Sequence, residues 1–409
     1  MQPLRKTHFL TILQLLINGF GLFIFAGSAV GLFFAGLMSL LGDGLLMMDV
    51  FPIFSLAWTA LTVAALLLPS LALAVMRLMG REERWRRLKS GLRWSSLLML
   101  AWPLFLVLGH FLTQVDELSA LLVPPVQVMA VVIPLWWFFE LGRRGLHGIH
   151  SQRNWGVMST SLVVTPAVII VIQLALLVIL GIGAVAWLSN QPHLLEELNR
   201  TAQRLMSAQL DPETTLRILR PYLQQPLVLY AGFAIVAGVV PLLEELLKPL
   251  ALWGLASRRF TPADGFVTGM ICGSGFALIE SLGMLSSAAV GADWVALVTG
   301  RLGTGLLHIV TAGIAGYGLA SAWSCAQYAR LAGSFCIAVL LHGIWNFLAI
   351  LAGIAPLFEN QVVRDNLVMF IPIHTIAPAA LVILAAALFL ILVGTNRRLR
   401  ADQQRAGPE

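Results

Sequence analysis

Residues 157–188 read VMSTSLVVTPAVIIVIQLALLVILGIGAVAWL and contain no charged side chain. A helix of about 20 apolar residues crosses the hydrocarbon core of a bilayer, so this run predicts a membrane-spanning helix. Comparable runs predict nine further spans, at residues 9–40, 52–76, 94–115, 124–141, 227–252, 265–288, 296–322, 332–354 and 372–394. The sequence therefore predicts an all-α integral membrane protein with about ten transmembrane helices.

The composition agrees with a membrane protein and excludes several other classes. Of the 409 residues, 58% are hydrophobic and 11% are charged, whereas a soluble domain carries about 25% charged residues. This balance excludes a soluble enzyme, a disordered protein and a coiled coil. The net charge of +6 comes from basic residues in short loops, so we expect a lipid bilayer and no nucleic acid as partner. The three cysteines, Cys272, Cys325 and Cys336, are too scattered for a disulfide framework.

The distribution of basic residues predicts the orientation in the membrane. With the N-terminus inside, 19 of the 26 Lys and Arg residues fall in inner segments and six in outer segments, while Lys248 lies near the inner end of the sixth span. Cytoplasmic loops of membrane proteins carry an excess of Lys and Arg. We therefore expect a multi-pass protein of the cell (inner) membrane with both termini in the cytoplasm.

A long connection divides the predicted spans into two halves. Residues 189–226 hold two sets of leucines separated by Asp211-Pro212, a capping residue followed by proline in the first helical turn. We expect two amphipathic helices on the outer surface, acting either as a solvated connector or as a lid or substrate-docking element. The predicted domains are five spans of unknown role at 1–188, the extracytoplasmic loop at 189–226, and five spans with a basic tail at 227–409.

The sixth span carries three charged residues, Glu244, Glu245 and Lys248. A charged side chain at the centre of a membrane helix costs about 2.5–3.5 kcal/mol, so each needs a partner or a function. Lys248 can reach both glutamates along one helix and keep one ionised while the other takes up a proton, as a general base does. Pro241 removes a backbone hydrogen bond just before them and predicts a bend. The alternative is a cluster that extends to the cytoplasmic surface.

Three further spans carry polar groups at similar depth. Glu280 lies in the seventh span without a charged neighbour in sequence, so its partner must come from another helix, unless it is a stray structural carboxylate. His308 lies in the eighth span, and His342 and Asn346 share one face of the ninth. Each histidine alone would be explained as a core residue, but the four consecutive spans together favour a functional site.

This set of residues indicates hydrolytic chemistry in the C-terminal half of the chain. Carboxylates, imidazoles and an amide in a buried pocket suit water activation and carbonyl polarisation. Two other functions stay open. A transporter or proton-coupled carrier would use the glutamates and Lys248 as a relay, and a non-catalytic scaffold would tolerate replacement of either Glu244 or Glu245.

The motifs resemble the PrsW family of intramembrane proteases, which is distantly similar to the CAAX prenyl protease and bacteriocin-processing family. The resemblance covers residues 227–354. It rests on Glu244-Glu245-Leu246-Leu247-Lys248, Phe276-x-x-x-Glu280, His308, and His342 with Asn346. It implies a catalytic bundle that hydrolyses a peptide bond of a membrane-associated protein, in the manner of proteases that cleave anti-sigma factors.

The resemblance also implies roles for these residues. Glu244 or Glu245 is the base that activates water, Lys248 tunes it, and His342 and Asn346 stabilise the oxyanion. No motif of the family explains the first five spans, so the substrate and the regulation of the enzyme do not follow from the resemblance.

Metal dependence is the open question of the implied mechanism. The resemblance gives Glu280 and His308 the role of positioning water or binding a metal. With His342 they form a candidate ligand set for zinc. The chain lacks the His-Glu-x-x-His motif, in which one helix presents two ligands and the base. We therefore expect a glutamate mechanism that needs no metal cofactor.

Overall fold

The computed structural model describes residues 4–41, 50–81, 91–146, 151–207, 212–255, 260–287, 294–353 and 371–406. Within these ranges the protein is helical and contains no β-strand. The helices are α1 (Leu4–Leu41), α2 (Val50–Leu78), α3 (Gly91–Leu112), α4 (Asp116–Gly142), α5 (Ser151–Leu188), α6 (Pro192–Ser207), α7 (Pro212–Leu223), α8 (Pro226–Phe233), α9 (Val240–Leu247), α10 (Leu250–Trp253), α11 (Pro262–Ser286), α12 (Trp294–Cys325), α13 (Tyr328–Gly353) and α14 (Ile371–Ala406).

Ten helical stretches of the described chain are long and apolar enough to cross a membrane, which confirms the predicted fold class. One of them, Pro226–Trp253, combines α8, α9 and α10 with a π-helical segment, Ala234–Val239. The chain is a multi-pass membrane protein, and the orientation of its termini stays a prediction. Several basic loop residues that support this orientation lie outside the described residues: Arg84, Arg86, Arg87, Lys89, Arg258 and Arg259.

The helices α6 and α7 occupy the connection in which two amphipathic helices were expected. α7 begins at Pro212, as the sequence predicts, while the capping residue Asp211 lies outside the described residues. The hydroxyl of Tyr222 on α7 donates to Glu197 Oε1 on α6 at 2.8 Å and lies 2.8 Å from the hydroxyl of Thr201. These bonds tie the two helices into a hairpin.

The described chain forms two compact units. The first comprises residues 1–166, 245–341 and 385–409, and the second comprises residues 167–244 and 342–384. Each division falls inside a helix, namely α5, α9, α13 and α14. The two consecutive glutamates of the sixth span therefore belong to different units, with Glu244 in the second and Glu245 in the first.

The first unit is centred on α11, which is buried along most of its length against α12. Gly265, Gly269 and Gly273 recur every fourth residue on the face of α11 that meets α12. A Cβ atom at these positions would collide with the backbone carbonyls of Gly316, Ala312 and His308. Small residues at this spacing let membrane helices approach closely, so the glycines bring the backbone of His308 against α11.

Hydrogen bonds between buried polar side chains join the N-terminal spans to α11 and α12 in the same unit. Ser55 on α2 donates to the hydroxyl of Ser286 on α11 at 3.0 Å. The Gln127 amide on α4 donates to Ser55 at 2.9 Å and accepts from the indole of Trp294 on α12 at 3.3 Å. Such bonds stabilise helix association where no water competes.

Candidate active site

A buried ion pair lies at the end of α9. Lys248 Nζ donates to Glu245 Oε1 at 2.7 Å, and both side chains are fully buried. The hydroxyl of Thr311 on α12 donates to the same oxygen at 3.1 Å. Buried charges persist only when they are paired and hydrogen-bonded, and these contacts satisfy that condition for Glu245 and Lys248.

The ion pair continues into an imidazole on α12. Lys248 Nζ lies 2.8 Å from His308 Nδ1. Because an ammonium can only donate, Nδ1 accepts and the ring proton resides on Nε2. That nitrogen lies 2.6 Å from Glu280 Oε2 on α11, so His308 donates to Glu280. The fully buried imidazole therefore links the charged groups of α9 and α11.

The network ends at a second cation. Arg301 Nη2 on α12 lies 2.7 Å from Glu280 Oε2, and Arg301 Nε donates to the hydroxyl of Ser281 at 3.1 Å. The Glu280 side chain is 32% exposed, whereas the His308 side chain is fully buried. A continuous line of hydrogen-bonded groups therefore runs from Glu245 through Lys248 and His308 to the partly exposed Glu280.

Phe276 forms the apolar wall of this network. Its ring packs edge-on against the His308 imidazole, with the ring centroids 5.1 Å apart. Lys248 Nζ lies over the same ring at 4.6 Å from its centroid, a distance at which an ammonium is attracted to the aromatic face. Phe276 and Glu280 are one helical turn apart on α11, so the close approach of α11 to α12 brings both to His308.

The second unit holds the pair Glu244 and His342. Both residues are buried, and Glu244 Oε2 lies 3.8 Å from His342 Nε2. This distance is too long for a direct hydrogen bond. Gln173 Nε2 on α5 lies 3.5 Å from the other carboxylate oxygen, Glu244 Oε1.

A break in the helical hydrogen bonding precedes Glu244. The Val240 N–H donates to the Ile235 carbonyl in π-helical register, so the Val236 carbonyl would next pair with residue 241. That residue is Pro241, which has no N–H. The Asn346 amide of α13 donates to the Val236 carbonyl instead, at 3.0 Å. Asn346 therefore bonds the carbonyl at which Pro241 supplies no donor, beside a π-helical segment, and such segments are frequent at functional sites. The predicted bend at Pro241 stays a prediction.

A comparison with known families identifies the part of the chain that holds these residues. Residues 212–377 match the model of the PrsW family intramembrane metalloprotease. This region is a PrsW-family protease domain. No curated protein and no solved structure matches the chain. The match confirms the resemblance and extends it to α7, and it includes all seven residues that the sequence predicts for the site.

Within each unit, the fold brings predicted residues of the protease domain into contact or close to one another. In the first unit, Lys248 contacts Glu245 and His308, and His308 contacts Glu280 directly. In the second unit, Glu244 lies near His342, whereas the Asn346 amide is bound to the Val236 carbonyl. The predicted roles in water activation, metal binding and oxyanion stabilisation stay predictions.

Sequence reasoning missed three polar groups beside the predicted residues. Arg301 was counted only as a basic residue of an outer segment, and Gln173 and the Val236 carbonyl were not considered. For Arg301 a signal existed, because it lies seven residues before His308 and therefore on the same helical face. Gln173 and Val236 reach the site only through tertiary packing.

The family description of the protease domain implies a metal ion, and Glu244 and His342 fit one. Zinc binds a carboxylate oxygen or an imidazole nitrogen at about 2.0–2.2 Å, so two ligand atoms of one ion lie at most about 4 Å apart. The separation of 3.8 Å between Glu244 Oε2 and His342 Nε2 satisfies this limit. Both residues are also shielded from solvent.

Proposed function

We propose that this chain is a metal-dependent intramembrane endopeptidase that hydrolyses a peptide bond of a membrane-associated protein, with anti-sigma-factor-like proteins as the substrate class. The observation that carries the proposal is the buried Glu244–His342 pair, whose facing atoms are 3.8 Å apart inside a region that matches a metalloprotease family. In this proposal Glu244 and His342 hold the ion. Held there, the ion would supply Lewis-acid chemistry for the scissile carbonyl and for a water molecule. This preference replaces the metal-free mechanism that the sequence favoured.

Glu245 is the proton acceptor in this mechanism. The ion pair with Lys248 and the hydrogen bond from Thr311 keep it ionised in a fully buried position. An ionised carboxylate is the form that takes up the proton of the attacking water. Lys248 holds that carboxylate in place and sets its charge.

His308 and Glu280 act on Glu245 indirectly, through their hydrogen bonds with Lys248 and with each other. The bonds of 2.8 Å to Lys248 and 2.6 Å to Glu280 fix the tautomer and orientation of His308. Glu280 is partly exposed. A proton that Glu245 takes up can therefore leave the buried site along the same line of hydrogen bonds. Arg301 pairs with Glu280 at the end of this line.

Asn346 stabilises the oxyanion. Its amide carries two N–H groups, and the bond to the Val236 carbonyl engages one of them. That bond also fixes the orientation of the amide. A group that donates to a developing negative charge must be held in a fixed orientation.

The test is membrane proteomics of cells that carry Glu244→Gln, Glu245→Gln or the wild-type chain. Loss of a catalytic base or ligand costs about 10²–10⁴ in rate, so an uncut transmembrane substrate should accumulate in both variants. Glu196→Gln is the matched control, because Glu196 is an exposed carboxylate on α6, and it should leave cleavage unchanged. Normal cleavage in both site variants would refute the proposal.

A proton-coupled carrier is the second candidate. The observation that favours it is the hydrogen-bonded line from the buried Glu245 to the partly exposed Glu280. A carrier should move protons across liposome membranes when the purified chain is reconstituted, and Glu280→Gln should abolish that flux. Proton flux without any proteolysis would favour the carrier over the protease.

A further inference from the structure

A cavity of about 680 Å³ lies in the first unit, and neither the protease motifs nor the proposed mechanism uses it. Helices α2, α3, α4, α5 and α11 line it. Ligand sites in proteins commonly measure about 300–1,000 Å³, so the cavity has the size of a binding site. Most of its wall comes from the N-terminal five spans, whose role the family match does not explain.

The lining of the cavity changes from polar to apolar along the helices. Gly91 at the start of α3, Arg143 at the end of α4, and Ser151 at the start of α5 mark one end of the helical bundle. Val132 lies eleven residues before Arg143, which corresponds to about 16 Å along a helix. The wall at that depth consists largely of aliphatic, aromatic and methionine side chains.

Arginines lie at and beside the polar end of the cavity. Glu140 is the one carboxylate among the lining residues, and Arg143 pairs with it. Glu140 is buried. Arg144 and Arg153 are exposed. Arg144 directly follows the lining residue Arg143, and Arg153 directly precedes the lining residue Asn154. Arg400 Nε lies 2.7 Å from the position of a Cβ at Gly145, which is two residues from the lining residue Arg143.

We propose that this cavity binds one anionic phospholipid, with an acyl chain between α4, α5 and α11 and the phosphate among the arginines. The apolar depth matches a hydrocarbon chain, and basic pockets between membrane helices bind anionic head groups. The acyl chain would contact Ile271, Ser274 and Leu278 of α11. The site thus gives the N-terminal spans a function that does not depend on the protease mechanism.

Two pairs of variants of the full chain test the two halves of the site. Val132→Trp fills the apolar end, and Leu100→Trp is its control, because Leu100 is 79% exposed on α3. Arg144→Gln with Arg153→Gln removes two charges at the polar end. Arg204→Gln with Arg217→Gln is the matched control, because it removes two exposed arginines from α6 and α7.

The measurement is native mass spectrometry of the chain purified from nanodiscs that contain phosphatidylglycerol and phosphatidylcholine. The wild-type chain should retain one phosphatidylglycerol, and Val132→Trp should lose it while Leu100→Trp keeps it. The arginine double variant should lower the affinity for phosphatidylglycerol roughly thirtyfold, at about fivefold for each arginine, without changing the thermal midpoint of unfolding. Equal retention by Val132→Trp and the wild type would overturn the cavity as the site. Equal affinity of the wild type for both lipids would overturn the anionic head group.

Discussion

Replacement of Lys248 by methionine removes the positive charge of the buried ion pair while keeping most of the side-chain volume. Lys248 contacts Glu245 at 2.7 Å and His308 at 2.8 Å, and it lies over the ring of Phe276. The substitution leaves Glu245 as a fully buried carboxylate without its ammonium partner. Removing one member of a buried pair costs about 3–5 kcal/mol, and we expect a loss of this size in the free energy of unfolding.

The double variant Lys248→Met with Glu245→Gln separates the effect of the lost charges on stability from the effect of changed side-chain packing. It removes both charges, while the glutamine oxygen can still accept from Thr311. Replacing a buried ion pair by neutral side chains is often close to neutral for stability. The double variant should therefore recover most of the loss caused by Lys248→Met, and a double-mutant cycle should give a coupling of about 2–3 kcal/mol.

The assay is reversible unfolding in mixed micelles of a mild detergent and dodecyl sulfate, followed by circular dichroism. Arg200→Met is the control, because Arg200 forms an ion pair with Glu196 on the exposed face of α6. An exposed pair contributes about 0–1 kcal/mol, so the control should change little. If Lys248→Met is as stable as Arg200→Met, Lys248 is not the partner that stabilises a charged Glu245, and its assigned role is refuted.

Three further predictions concern helix packing, the π-helical segment and the metal. Gly273→Ala should destabilise the protein by about 1–3 kcal/mol and slow cleavage, because its Cβ would collide with the His308 carbonyl. Gly283→Ala on the same helix has open space and should be tolerated, so equal unfolding midpoints of the two variants would contradict this prediction. Asn346→Ala should lower the free energy of unfolding by about 1–3 kcal/mol, and the added change Pro241→Ala should restore part of this loss by supplying an N–H for the Val236 carbonyl. No recovery in micelle unfolding would argue against the bond between Asn346 and the Val236 carbonyl. Treatment with a strong chelator should abolish peptide cleavage, and stoichiometric zinc should restore it; full activity of metal-free protein, checked by elemental analysis, would return the mechanism to the glutamate alone.

The sequence predicted the membrane fold and the local part of the site, because both depend on short-range patterns. An apolar run of sufficient length forms a helix in lipid whatever its neighbours are, and the ten spans follow from that rule. The Glu245–Lys248 contact was within reach for the same reason, since residues three apart on a helix are neighbours. The sequence did not decide which of the two glutamates Lys248 contacts, because Lys248 is within reach of both along the helix.

Only the tertiary structure decided which polar groups of different helices meet. The pairing of Glu280 with His308 and Arg301 depends on the approach of α11 to α12, which the glycines permit but do not specify from sequence alone. The bond from Asn346 to the Val236 carbonyl depends on a change of helical register that no propensity predicts. In each case the partner lies on another helix, and the relative rotation and depth of two helices are fixed by the packing of all their side chains together.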